Sequence, residues 1–188
     1  MSVGSSSNIT EDSTPIKLRK ARSLVGYEDI GMLEAISSLI EETIKKNLIK
    51  KKYSKKSVFF TEEQEIPKLS IYQYIYSIYS YLNLEMSSIV LSLITLNRLL
   101  DRTKDFLSLN NFYKLFITSC LLNCKQNEDI NFNFDMFVLS GKIDKKELIQ
   151  LEKKYLVMIN YKLFVNDEVY KRYYNFIKNR VKKTGYNY

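Results

Sequence analysis

From Tyr27 onward, apolar residues recur at spacings of three and four. Ile30, Leu33, Ile36, Ile40, Ile44 and Leu48 form one stripe, the mark of an amphipathic helix with one face turned inward. Acidic Glu28, Asp29 and Glu34 stand early in this helix and Lys45, Lys46 and Lys50 late, as the partial charges of the helix dipole favour. Pro67 stops the segment because it lacks the amide donor that a helix interior needs. Ser70 is placed to cap a helix through "IYQYIYSIYSYL", with Ile71, Tyr74, Ile75, Ile78 and Leu82 inward. A further helix is predicted over 86–101, with Ile89, Leu93, Leu96 and Leu100 toward the core.

The next segment breaks the one-sided pattern. From Ser108 or Asn110 to Lys125, the residues Phe112, Leu115, Phe116, Ile117, Cys120, Leu121, Leu122 and Cys124 surround the whole circumference. A helix apolar all round is buried on all sides, so this one is expected at the centre of a bundle. A short helix near 133–140 follows, with Gly141 as its C-terminal stop. Asp144 and Glu147 have capping-box spacing for the next helix, with Leu148, Leu151, Tyr155 and Met158 inward. Asn166 caps the last, where Val169, Tyr173, Phe176 and Ile177 face in and "KNRVKKTG" closes it at Gly185. Every strong signal is helical, and the predicted fold class is all-α. The expected organisation is a mobile tail at 1–27, an N-terminal helix and Lys-rich linker at 28–65, a five-helix unit at 66–164, and a C-terminal helix and basic tail at 165–188.

Composition narrows the class. With 188 residues, 45% of them apolar and 27% charged, the chain suits one domain plus tails. Two Pro and five Gly leave little material for hairpins. No apolar run reaches the length that spans a bilayer, and the N-terminus lacks the apolar middle of a secretion signal. An intracellular protein, in cytoplasm or nucleus, with no membrane partner is therefore expected. Two cysteines without a framework agree with a reducing compartment. The formal charge of +8, with seven lysines in "KKNLIKKKYSKK" (45–56), makes an acidic partner plausible without choosing between nucleic acid and protein. In the tail, "TPIK" presents Thr14 to proline-directed kinases and "RKARS" presents Ser23 to basophilic ones. Both are candidate phosphorylation sites.

Catalytic signals are missing. There is no histidine, which removes the commonest general base and the commonest metal ligand together. No Gly-rich phosphate loop, nucleophile elbow or paired CxxC occurs. Cys120 and Cys124 share a helical face, but two thiolates alone make a poor zinc site and a disulfide within one helix strains its geometry. Small buried hydrophobes is the better reading. Carboxylate pairs Glu62–Glu63 and Glu128–Asp129 sit in polar linkers. No enzymatic activity, cofactor or metal is expected.

The residues resemble a cyclin box, closest to the P-type (phosphate-signalling, also called U-type) cyclins. The family opens its box with Pro and a Ser-capped helix, beside "IPKLSIYQYIYSIYSYL" here. Its second helix closes on a "YIDRL"-like string, and residues 95–99 read "TLNRL", keeping Arg98 and Leu99. Its third opens "LNxHRLLIT", beside "NNFYKLFIT" (Asn110 to Thr118), and ends at a lysine, here Lys125. Its fifth reads "ELNxLExxFLxxLxFxL", against "ELIQLEKKYLVMINYKL" (Glu147 to Leu163), the most specific match.

The resemblance implies a regulatory subunit that binds and activates a cyclin-dependent protein kinase as a heterodimer. In that family, the lysine ending the third helix and the glutamate of the fifth grip the kinase's regulatory helix. By position these are Lys125 and Glu152, with Phe134 and Phe137 expected on the neighbouring exposed surface. Spacing alone reads Lys125 as a C-terminal dipole partner and Glu152 as a solvated helix residue. Many cyclins also pair a first-helix arginine with the aspartate of the "YIDRL" string, where Ser77 and Asn97 stand here. Losing one such partner would strand a buried charge at roughly 3–5 kcal/mol, whereas losing both is tolerable. The MRAIL substrate-docking string of cell-cycle cyclins is missing. The alternative is a nucleic-acid-binding module on the fold that cyclins share with transcription factor B, using the basic stretches 45–56 and 178–183; nucleic acid ranks well behind a kinase as partner.

Overall fold

The computed structural model describes residues 26–50, 57–127 and 133–183. The tail with Thr14 and Ser23, the lysines at 51, 52, 55 and 56, the Glu128–Asp129 turn and Gly185 lie outside these residues. Seven α-helices and one 3-10 turn (Glu63–Glu65) are the regular elements of the described residues, with no strand among them. The helices are α1 (Tyr27–Ile49), α2 (Ile71–Tyr81), α3 (Met86–Thr103), α4 (Leu109–Asn127), α5 (Phe134–Gly141), α6 (Lys145–Met158) and α7 (Asp167–Lys183). The all-α expectation holds, as the periodicity required.

Local chemistry sets several helix starts. Ser70 accepts from the Gln73 amide and the Gln73 side chain accepts from the Ser70 amide, a complete capping box at α2. Asp144 accepts from the amides of Lys146 and Glu147 at the start of α6, and Asn166 accepts from the Val169 amide at 2.9 Å before α7. Ser108 settles the start of α4, its amide donating to Asn111 Oδ1 at 2.9 Å.

The central helix is α4. Every residue from Leu115 to Cys124 is buried, because α3, α5 and α6 pack against it and α2 reaches it through aromatic rings. Tyr74 of α2 stands edge-on to Tyr113 at 4.7 Å and to Phe112 at 6.1 Å, a geometry that adds about 0.5–1.5 kcal/mol per pair beyond burial. α1 covers α2 and α7 on the other side. Pairs Lys178–Glu28 (2.9 Å) and Arg180–Glu42 tie α7 to α1.

Four assignments need correction. Leu48 is 70% exposed and Phe176 59% exposed: the α1 stripe outruns the surface that covers it, and Phe176 lies beside the buried row formed by Ile177 and Val181. Phe137, expected on the exposed surface, is buried at 4%, since α5 turns it into the core and leaves Phe134 half-buried. Gly141 is the last residue of α5, while Lys142 takes the left-handed conformation (φ 50°). A Cβ on Gly141 would meet Ile117 Cγ1 at 2.7 Å, so glycine is there to let α5 approach α4.

Candidate functional site

The predicted pair lies on α4 and α6, whose crossing is set by a buried polar network. Ser119 of α4 donates to the Ser92 carbonyl of α3 at 2.6 Å. The same Ser119 oxygen lies 2.6 Å from Thr95 Oγ1, a hydroxyl–hydroxyl hydrogen bond between α4 and α3. Tyr155 of α6 donates to the same Ser119 oxygen at 3.2 Å, and Asn123 Nδ2 donates to Thr95 Oγ1 at 2.8 Å. Burial drives the Tyr155 phenol far above its ordinary range, against the opposing hydrogen bonds from Ser119 and Thr95. Asn123 Oδ1 is left without a partner among the described residues. Side-chain donors and acceptors thus lock three helices in one register.

Beyond this network α4 reaches the surface, and Lys125 stands in its last turn. Lys125 Nζ meets Glu152 Oε1 at 2.5 Å, with side chains 36% and 14% exposed. Residues 27 apart in sequence are thus brought together on one face. Lys125 Nζ also lies 5.4 Å from the centre of the Phe134 ring, and Lys145 Nζ lies 5.9 Å from it. Lys145 in turn pairs with Asp135 at 2.6 Å. Glu152 Oε2 makes no hydrogen bond with a described residue, so the carboxylate retains acceptor capacity. Chemically this face offers an ammonium, a half-buried carboxylate and an aromatic edge held together. It suits recognition of backbone amides and carbonyls, where charge-assisted bonds are worth about 1.5–3 kcal/mol once desolvated.

Other candidates resolve differently. Cys120 and Cys124 are buried and not disulfide-bonded, and no group of metal-ligating side chains occurs among the described residues. Ser77 donates to the Tyr74 carbonyl of its own helix, while exposed Asn97 donates to Tyr173 OH at 3.4 Å. No hydrogen bond joins these two positions. Arg98, retained from the family string, donates instead to the carbonyls of Lys162 and Phe164 at 2.5 and 3.1 Å.

Two features escaped the sequence reading. Lys114 pairs with Glu147 at 2.6 Å, a second ion pair between α4 and α6. The Thr95–Ser119–Asn123 network was the other. Its only local signal was hydroxyl and amide side chains inside an otherwise apolar helix.

Residues 8–163 match the model of the family described as Cyclin. The chain belongs to the cyclin family. This cyclin is 31% identical over 175 residues to "Cyclin-U2-1" of Arabidopsis thaliana, covering 86% of this chain and 78% of that protein. It is 27% identical to "Cyclin-U2-2" of the same plant over 172 residues, covering 85% and 74%. To "Cyclin-P3-1" of Oryza sativa subsp. japonica it is 26% identical over 144 residues, covering 76% and 61%. The resemblance to U- and P-type cyclins is therefore correct. Family membership supports a regulatory role of the cyclin kind, and nothing supports the nucleic-acid alternative. No helix among the described residues is long and apolar enough to cross a membrane.

Proposed function

We propose that this cyclin is the non-catalytic regulatory subunit of a cyclin-dependent protein kinase, acting inside the cell as a heterodimer with it. The contact is the face where α4, α5 and α6 meet. Lys125 and Glu152 grip backbone groups of the kinase's regulatory helix, and Phe134 supplies apolar surface beside them. Held inward, that helix lets the kinase form its Lys–Glu ion pair and order its activation segment. The observation that carries this reading is the Lys125–Glu152 pair, an exposed ammonium on a half-buried carboxylate, assembled on one face beside an aromatic ring. Phe137 drops out of the contact because it is buried; its role is to anchor α5 beneath Phe134.

The test is purification of kinases that co-elute with the wild type and with a Lys125→Ala/Glu152→Ala double variant. The wild type should retain a kinase and stimulate it. The variant should lose both, while unfolding within a few degrees of the wild type. Undiminished binding by a folded variant sinks the site, and absence of any kinase from the wild type sinks the reading.

A further inference from the structure

A second concavity lies between the C-terminal half of α3, the turn after α6 and the first turns of α7. Its volume is about 550 Å³, within the range of roughly 300–1,000 Å³ typical of small-molecule sites. Four cations line it, Arg98, Arg102, Lys162 and Arg172, against the single carboxylate of Asp101. Arg98 has a structural duty, since its guanidinium holds the carbonyls of Lys162 and Phe164 and so fixes the loop that carries Lys162. The side chains of Arg102, Lys162, Arg172 and Asp101 form neither an ion pair nor a hydrogen bond with any described residue. Three cations from three separate elements converging on one cleft repel each other, and folding gains nothing from the arrangement. An anion in the cleft reverses the sign of that energy.

The floor is different in kind. Ile94 and Ile159 are buried beneath it, and Val169 and Tyr173 are half-buried at its wall. Tyr173 is held in place by Asn97 through its hydroxyl. A cationic rim over an apolar and aromatic floor fits a ligand with both a charged end and a carbon skeleton. We propose that this cleft binds a small organic polyphosphate. Its phosphoryl groups meet Arg102 and Arg172, whose guanidinium forks match phosphate geometry, and the ammonium of Lys162, and its skeleton lies against Val169 and Tyr173. The cations converge on one bounded hollow rather than tracking along a strand, which favours a small molecule over a nucleic-acid backbone. The site has no residue on α4, α5 or α6, the helices that carry Lys125 and Glu152 and their neighbours.

The experiment is calorimetric titration of the full 188-residue chain with ADP, no kinase present, at low and high salt. Saturable one-to-one binding is expected, displaced by pyrophosphate and weakened at high salt. Arg102→Ala/Arg172→Ala should weaken it about tenfold or more, given two lost charge-assisted contacts. Lys153→Ala/Lys154→Ala, on the exposed face of α6, should leave it unchanged. Lys162→Ala repeats the test on the loop without altering a helix. Absence of saturable binding, or equal binding by the Arg102/Arg172 variant, overturns the proposal. So does a DNA duplex that displaces ADP more effectively than pyrophosphate does, which would assign the cleft to nucleic acid.

Discussion

At residue 141 there is no room for a methyl group. A Cβ there would come within 2.7 Å of Ile117 Cγ1 and 3.2 Å of Ile143 Cγ2, and neither atom is the loose end of a flexible chain. Gly141→Ala should therefore cost about 1–3 kcal/mol by overpacking, read as a lower urea midpoint at unchanged slope. Ser119 is constrained by polarity instead. Its oxygen serves Ser92, Thr95 and Tyr155 at once, so Ser119→Ala leaves buried partners unmatched. It should lower stability by about 1–3 kcal/mol in the same measurement. Ser119 lies inside a run whose apolar neighbours dominated the reading, so nothing local announced its partners. Lys125 and Glu152 were legible only through positions the family shares, since spacing alone reads them as a dipole partner and a solvated helix residue. Phe137 was not, because a helix of eight residues (Phe134–Gly141) has too few turns for its buried side to be read.

At the scale of elements, helix ends are unusual in a chain so poor in glycine. Asn83, Lys104, Lys142, Asn160 and Tyr161 all hold positive φ between 50° and 56°, a conformation that costs most residues roughly 1–2 kcal/mol. Lys104 follows α3 directly at φ 56°, its amide donating to the Leu100 carbonyl. Lys104→Gly should raise stability by up to about 1 kcal/mol, seen as a higher thermal midpoint. Ser70→Ala should do the reverse by about 1 kcal/mol, since it removes the capping box of α2. The starts of α2, α6 and α7 were readable because capping acts over three or four residues. The stripe of α1 was readable too, but not the fact that burial fades from Ile40 (6% exposed) to Leu48 (70%). Periodicity reports which side of a helix is apolar, and it is silent on where the covering surface ends.

For the whole molecule, two phenols sealed in the core set the alkaline limit. Burial raises both Tyr74 and Tyr155 well above the ordinary value of 10.0. The unfolded chain releases these protons near that ordinary value while the folded chain keeps them. These two phenols therefore leave stability unchanged below about pH 10 and lower it above, by up to about 1.4 kcal/mol per pH unit for each tyrosine. Denaturant titrations at successive alkaline pH values check this, and Tyr155→Phe should make the decline shallower. Periodicity and capping residues were enough for the helices, their starts and the burial of α4, and scattered shared positions for the cyclin family. Each of these is written in local spacing or in residues at matching positions. The packing of the helices settles that Lys125 and Glu152 meet, that Ser77 and Asn97 bond to other groups, and that three cations without described partners line one cleft. Those are contacts between side chains far apart in sequence, and the packing angles of α3, α4, α6 and α7 choose them.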